Sequence, residues 1–118
     1  MKQFDIYWAE LPKISGESNL YYGLRPVVIV SNDQCNTVSP ILTAIPLTSN
    51  LGKKPLPTHV FISHPNLDNS SLALCEQILS LDRSRLRNKI GHIVKSWDKL
   101  AIIHGIETQL GMEVDYEV

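Results

Sequence analysis

Short apolar runs separated by turn-forming residues fill the first two thirds of the chain. The runs are rich in β-branched and aromatic residues, and Gly, Pro, Asn and Ser lie between them, a pattern typical of strands and turns. We predict five strands, at residues 4–11, 26–31, 41–47, 58–63 and 71–81, although a helix is also compatible with the last. Because no helix-length segment separates the early strands, the pattern favours a small, largely antiparallel barrel with α additions over a parallel βαβ fold.

Two of these runs carry further information. Residues 26–31 form a nearly continuous apolar run, which predicts a strand buried on both faces. The third run contains Pro46, which lacks a backbone N–H. We therefore expect a bulge or a sheet edge at Pro46.

The C-terminal third changes from strand patterns to helix patterns. Asp82 is a candidate cap for a short helical turn, and residues 89–93 form a brief candidate strand. Ser96 is a candidate N-cap for a final helix, in which apolar residues recur at helical spacing. We expect this stripe to pack on the sheet or on a partner. Its members are Leu100, Ile102, Ile103, Ile106 and Leu110.

The amino-acid composition excludes fewer functions than the pattern of hydrophobic and polar residues does. The chain has 118 residues, of which 43% are hydrophobic, and this predicts one globular domain over residues 1–118. A formal net charge of -1 gives no overall basic field for nucleic acid, so any such binding must come from a local cluster. The apolar runs are too short for a membrane span, and the first residues lack a signal peptide's apolar segment. We expect a cytoplasmic protein in which Cys35 and Cys75 are buried free thiols rather than a disulfide.

Several common chemistries lack their sequence signatures. The glycines are scattered rather than gathered in a phosphate loop, and the four histidines show no ligand spacing with the cysteines. No nucleophile elbow or Cys-His arrangement is present. We therefore expect no metal and no cofactor. An enzyme would need a reaction that requires neither metal nor protein nucleophile, and RNA supplies one, because its 2′-hydroxyl can attack the adjacent phosphorus.

Arg25 is the first candidate for such a site. It stands between Gly23, which allows a tight turn, and Pro26, which favours an extended backbone before it. A permanent charge at the start of a rigid strand can be aimed at an anion. The alternative is an ordinary solvated arginine at a strand end, since surface charges are far commoner than sites.

Five segments, in order and near the expected spacing, resemble those of the MazF/PemK family of toxin endoribonucleases. They are Gly-Leu-Arg-Pro-Val-Val-Ile-Val-Ser-Asn-Asp at 23–33, Ala-Ile-Pro-Leu-Thr at 44–48, Leu-Pro-Thr-His-Val at 56–60, Leu-Cys-Glu-Gln-Ile at 74–78, and Asp-Arg-Ser-Arg-Leu at 82–86 followed by Lys-Ile at 89–90. The resemblance implies a mainly β, SH3-like barrel with short helices and a C-terminal helix, assembled as a homodimer. It also implies cleavage of single-stranded RNA without a metal, leaving 2′,3′-cyclic phosphate and 5′-hydroxyl ends, and a cognate antitoxin that blocks the RNA groove.

The resemblance also implies roles for particular residues. Arg25 and Thr48 match the catalytic pair, and Glu17 and Gln77 match positions that contact RNA or assist catalysis. By itself, a threonine at a strand end is usually a turn former. Glu17 could accept the proton of the 2′-hydroxyl, with a solvated loop carboxylate as the alternative.

Further RNA contacts are expected next to these positions. Lys53 and Lys54 follow Thr48 and could steer the RNA backbone, or be solvated loop charges. Tyr21 and Tyr22 could stack on splayed bases, as aromatic side chains do with single-stranded RNA.

The sequence departs from the family pattern in two places. Phe4 stands where the family usually has Gly, and the loop at 15–23 is about two residues longer, with Tyr21 and Tyr22 added.

Two other functions are compatible with the same barrel. One is a non-enzymatic toxin that binds DNA gyrase, but members of that related family usually carry a C-terminal helix ending Trp-Gly-Ile, whereas residues 116–118 here are Tyr-Glu-Val. The other is a catalytically silent barrel that only binds a partner.

Overall fold

The computed structural model describes residues 1–14, 16, 18–52 and 54–112. Seven strands lie in this part of the chain: β1 (Asp5–Leu11), β2 (Gly23–Ile29), β3 (Ile41–Thr48), β4 (His59–Ile62), β5 (Ser71–Leu74), β6 (Leu79–Asp82) and β7 (Leu86–His92). The α-helices are α1 (Asp33–Val38) and α2 (Ser96–Leu110). Two 3-10 turns, Cys75–Gln77 and Arg83–Arg85, flank β6. Neither α-helix is both long and apolar enough to cross a membrane, as far as the described residues show.

All strand pairs are antiparallel, in the order β4-β5-β3-β2-β1-β7, and β6 pairs with a different part of β3. This arrangement confirms the predicted mainly β antiparallel fold with a C-terminal helix.

β2 is the buried strand that its apolar run predicts. Val27, Val28 and Ile29 are fully buried, because β1 and β3 pair on its two edges and apolar side chains cover both faces. The strand begins three residues earlier than predicted, at Gly23, whose φ of +81° is one that glycine adopts readily. Arg25 therefore lies inside the strand, paired with Ala9 of β1, rather than in front of it.

β3 is a central strand, and its register with β2 shows no bulge up to its last pair, Val27 with Pro46. The expected edge is present on one side of β3 only. Its other edge changes partner: β6 pairs with residues up to Ala44, and β5 pairs from Leu47 onward. Pro46 lies at this change of partner, where a missing backbone N–H costs no sheet hydrogen bond on that edge.

Other boundaries differ from the prediction for local reasons. The short helix α1 lies between the predicted strands 26–31 and 41–47, where the sequence analysis predicts no helix. The side chain of Asn32 caps it by accepting a hydrogen bond from the Cys35 N–H. The predicted strand 71–81 is interrupted by the turn Cys75–Gln77, which separates β5 from β6. The cap at Asp82 is confirmed by its hydrogen bond from the Ser84 N–H. The predicted strand 89–93 lies in β7 except for Ile93, and β7 begins three residues earlier, at Leu86.

Helix α2 packs on the core, as predicted, but through only two residues of the predicted stripe, Ile102 and Ile106. Lys95, not Ser96, occupies the N-cap position, without a side-chain cap. Ile102 and Gly105 are buried, and a Cβ added at Gly105 would lie 2.7 Å from the Cys75 sulfur. The helix therefore approaches the core closely because it has a glycine there. Of the predicted stripe, Leu100, Ile103 and Leu110 are exposed.

The cysteines divide between surface and core. Both are free thiols, as predicted, but only Cys75 is buried. Burial raises the pKa of the Cys75 thiol to about 12, and the neighbouring Glu76 charge adds to this. Cys35 is exposed because the single turn and a half of α1 lies on the surface, which the sequence interpretation of a buried thiol missed.

Phe4, where the sequence resemblance predicts a glycine, has a backbone conformation that glycine adopts more readily than other residues. Its φ is +72°, in the left-handed region that side chains adopt at a cost of roughly 1 kcal/mol. Its backbone N–H donates to Ile29, and its side chain is buried in the core cluster beneath β2, which offsets the cost.

The carboxylate of Asp5 joins β1 to β7. It accepts hydrogen bonds from the Lys2 N–H at 2.9 Å and His92 Nδ1 at 2.7 Å, and Lys89 Nζ lies 3.4 Å away. Burial raises the pKa of Asp5, but these hydrogen bonds and the Lys89 charge outweigh burial and hold the pKa below its ordinary value.

Candidate active site

Arg25 and Thr48 are brought together by the pairing of β2 with β3. The register pairs Val27 with Pro46, and each step toward the start of β2 is matched by one toward the end of β3. Val27 and Pro46 are the last pair of this register, and Arg25 and Thr48 lie two residues beyond it, one on each strand. Both residues line the same groove. The two catalytic candidates that the sequence predicts separately therefore share one location.

A groove of about 370 Å³ lies over this location. β2 and β3 contribute one wall, and the loop between β4 and β5 contributes the other. Its lining includes Arg25, Thr48, Trp8, Asn66, Asp68 and Asn69. The rest of the lining is mixed: Leu24, Pro26, Leu47 and Leu67 are apolar, and Ser49 and Ser71 are polar. The exposed cation of Arg25, with hydroxyl and amide groups around it, suits a ligand that carries an anionic group.

The guanidinium of Arg25 contacts protein through its Nε and its ring-facing side, while its terminal nitrogens make no hydrogen bond to the described residues. Its Nε donates to the Tyr22 carbonyl at 3.1 Å, and its Cζ lies 5.1 Å from the centre of the Tyr21 ring. No carboxylate in the described part of the chain forms an ion pair with it. The terminal nitrogens of Arg25 are thus available for bidentate contact with a phosphate.

Thr48 is buried, with 5% of its surface exposed, and its hydroxyl has two fixed neighbours. The Asn50 N–H donates to Oγ1 at 3.1 Å, and the Tyr21 hydroxyl donates to the same atom at 2.8 Å. The hydrogen bond from Asn50 makes Thr48 a turn former at the end of its strand, as its position in the sequence suggests. Thr48 also lines the groove.

The amide of Gln77 is directed to the loop that precedes β2. Its Oε1 accepts from the Tyr21 N–H at 2.8 Å, and its Nε2 donates to the Asn19 carbonyl at 3.3 Å. Gln77 does not line the groove.

The remaining predicted residues lie at the margin or outside the described part. Glu17 and Lys53 are not among the described residues. Lys54 is exposed and does not line the groove. Tyr22 is exposed, with Lys13 Nζ 5.1 Å from its ring centre, and lines a neighbouring pocket formed by the loop.

The groove also contains residues that the sequence interpretation did not select. Asp68 and Asn66 come from the segment between the predicted strands 58–63 and 71–81, which is dense in Pro, Asn and Asp. Trp8 comes from β1, where it was assigned only as a strand former, and it pairs across from Pro26. The position of this loop in the chain could have indicated its role. The loop comes directly before β5, and β5 pairs with β3 at Thr48.

Clusters of three or more His, Cys, Asp or Glu side chains suited to a metal ion are absent from the described ranges.

Comparison with known proteins identifies the family. The family described as PemK-like, MazF-like toxin of type II toxin-antitoxin system matches residues 2–102. The chain belongs to this family. Two curated relatives support the assignment, both named Endoribonuclease MazF. The relative from Staphylococcus saprophyticus is 36% identical over 114 residues, covering 95% of this chain and 92% of the relative. The relative from Staphylococcus epidermidis is 33% identical with the same coverage.

Solved structures share the fold. An endoribonuclease from a mycobacterial species, in complex with its cognate antitoxin, superposes with a TM-score of 0.77 at 22% identity, over 98% of this chain and 99% of that chain. MazF from Deinococcus radiodurans gives a TM-score of 0.77 at 22% identity, over 95% of this chain and 97% of that chain. The family and fold expected from the five sequence segments are both confirmed.

Proposed function

We propose that the chain is an endoribonuclease toxin that cleaves single-stranded RNA in the groove between Arg25 and Thr48. The observation that carries this proposal is that the guanidinium of Arg25 and the hydroxyl-bearing Thr48 line one open groove, just beyond the last pair of the β2–β3 register. The activity agrees with the name Endoribonuclease MazF of both curated relatives. The site of action is then the cytoplasm, where messenger RNA is translated.

The proposed chemistry uses a nucleophile supplied by the RNA. The 2′-hydroxyl oxygen forms a bond to the adjacent phosphorus, and the bond from phosphorus to the 5′-oxygen breaks. The products are a 2′,3′-cyclic phosphate and a 5′-hydroxyl. Charge grows on the non-bridging oxygens in the transition state, where the terminal nitrogens of Arg25 and the hydroxyl of Thr48 donate to them.

The proton of the 2′-hydroxyl needs an acceptor. Arg25 is a poor one, because the pKa of a guanidinium lies above about 12. Glu17 is the acceptor that the family resemblance suggests. In the described part of the groove the carboxylate is that of Asp68, and we assign the first proton to it. The departing 5′-oxygen receives a proton late, from water or from a donor already bound to the phosphate.

Other residues serve RNA binding in this proposal. Tyr22 is exposed next to the groove and available for stacking on a base, while Lys53 and Lys54 attract the backbone through their charge. A homodimer with a cognate antitoxin completes the proposed system. The mycobacterial relative was solved with its cognate antitoxin, which supports a protein partner of that kind.

Variants of the two central residues test the proposal. We expect Arg25→Ala to lower kcat on a single-stranded RNA by at least about 10³-fold and Thr48→Val by about 10²-fold, since each removes a donor to developing charge. Arg87→Ala is the matched control, because it removes the same charge from an exposed position on β7, away from the groove. Cleavage by Arg25→Ala at the parent rate would refute the proposal. Inhibition of DNA supercoiling with RNA left intact would favour the gyrase-binding alternative instead.

A further inference from the structure

We infer that Tyr21 is a positioning residue for the proposed RNA cleavage, fixing Thr48 as a hydrogen-bond donor and supporting Arg25. This inference rests on the proposed function, because it concerns how that site is organised. Tyr21 belongs to the lengthened loop in which this chain departs from the family pattern. Neither the family match nor the relatives assign it a role.

The hydroxyl of Thr48 has its accepting capacity filled by protein. A hydroxyl carries one donor hydrogen and two lone pairs. The Asn50 N–H and the Tyr21 hydroxyl both donate to Oγ1, at 3.1 and 2.8 Å. The one capacity left to Thr48 is donation of its own hydrogen. Thr48 lines the groove, so this hydrogen is available to a phosphate oxygen there. Without the Tyr21 hydroxyl, Thr48 could equally accept from water or from the RNA 2′-hydroxyl.

The same tyrosine supports the guanidinium of Arg25. The Arg25 Cζ lies 5.1 Å from the centre of the Tyr21 ring, within the range of a cation–π contact. The Arg25 Nε is occupied by the carbonyl of Tyr22, the next residue in the loop. The contacts on Nε and on the ring face restrict the side chain while leaving both terminal nitrogens for a phosphate. One loop residue thus connects the two donors across the groove.

Tyr21 acts through these residues rather than on the RNA. It does not line the groove, and it lines instead a separate pocket of about 300 Å³ with Leu11, Pro46 and Gln77. Its backbone N–H is fixed by the Gln77 side chain at 2.8 Å. A residue placed in this way organises the site in advance, and such preorganisation is expressed in kcat more than in substrate binding.

A double-mutant cycle tests this inference. Tyr21→Phe removes the hydroxyl and keeps the ring beneath Arg25, and Thr48→Val removes the acceptor without changing the shape of the side chain. Tyr21→Phe should lower kcat about tenfold with KM within twofold, as expected for one lost hydrogen bond in a catalytic site. In the Thr48→Val background the same substitution should change kcat by less than twofold, because its target is already absent. Tyr7→Phe is the matched control, since its hydroxyl makes no hydrogen bond within the described residues.

Two results would overturn the inference. One is an equal loss from Tyr21→Phe in the parent and in Thr48→Val, which would mean that Tyr21 acts independently of Thr48. The other is unchanged kcat in Tyr21→Phe while Thr48→Val is impaired, which would leave the proposed function standing without a role for Tyr21. If Arg25→Ala and Thr48→Val both cleave normally, the proposed function fails and the inference fails with it. Melting temperatures of all four single variants exclude misfolding as the cause of a loss.

Discussion

Removing the side chain of Gln77 should loosen the loop that carries Tyr21. In Gln77→Ala the Tyr21 N–H and the Asn19 carbonyl lose their partners at 2.8 and 3.3 Å. A neutral hydrogen bond contributes about 1 kcal/mol, and the longer one contributes less, so the organised loop loses about 1.5 kcal/mol. Since 1.4 kcal/mol corresponds to a factor of ten, kcat should fall about tenfold. Gln77→Glu keeps the acceptor for Tyr21 and loses only the donor to Asn19, so we expect a loss of about threefold.

Two measurements test this prediction. Steady-state cleavage of a fluorescent single-stranded RNA gives kcat and KM, with Gln109→Ala on the exposed face of α2 as the matched control. Hydrogen exchange of the Tyr21 amide reports on the loop directly, and this amide should lose protection in Gln77→Ala. A rise in KM with unchanged kcat would refute the loop-support argument and would favour direct RNA contact by Gln77. Parent-like exchange at Tyr21 would refute it as well.

Three further predictions concern charge and packing. Asp68→Asn should lower kcat at least about tenfold while RNA binds as tightly or more tightly, because a base and a repulsive charge are lost together; parent-like kcat would exclude Asp68 as the proton acceptor. Because folding lowers the pKa of Asp5, its stabilising effect is present above the ordinary value of 3.8 and disappears as pH falls through the lower folded pKa. Asp5→Asn should therefore reduce the free energy of unfolding by about 1–3 kcal/mol at pH 7 and hardly at all near pH 2, and an equal loss at both would contradict this. Gly105→Ala should cost about 1–3 kcal/mol in chemical denaturation, since its Cβ would lie 2.7 Å from the buried Cys75 sulfur, and a stabilised variant would contradict the close packing.

Strands could be predicted from the sequence where burial on both faces requires a run of apolar residues. The run at 26–31 is apolar except for Ser31, and its core, Val27 to Ile29, is fully buried. Helix α1 was not predictable in the same way, because six residues give less than two turns and no apolar period. Its one local signal was Asn32, whose side chain caps it.

The face of α2 that packs on the core could not be predicted from the sequence, for a different reason. Apolar residues surround much of the helix, so Leu100, Ile103 and Leu110 fit a stripe as well as Ile102 and Ile106 do. What selects the face is a glycine, because Gly105 alone allows contact with Cys75. Close approach of this kind is a property of the tertiary structure and has no periodic signature.

For the candidate site, the sequence could predict residues but not their connections. Arg25 and Thr48 follow from motif resemblance, and the β2–β3 register explains why they meet. The hydrogen bond between Tyr21 and Thr48 joins residues 27 positions apart in the sequence, and the one between Tyr21 and Gln77 joins residues 56 positions apart. No local sequence pattern links residues so far apart. Asp68 was missed because its loop reaches the groove only through the pairing of β5 with β3.

The central claim is that this groove cleaves RNA with the RNA's own 2′-hydroxyl as nucleophile. The most direct measurement incubates the purified protein with a long single-stranded RNA in EDTA, maps the cut positions and identifies the new ends. A second RNA with a 2′-deoxy nucleotide at the mapped position serves as the comparison. We predict cleavage that leaves 2′,3′-cyclic phosphate and 5′-hydroxyl ends, and no cleavage at the deoxy position. Cleavage of the deoxy substrate at the same position, or 5′-phosphate ends, would contradict the account.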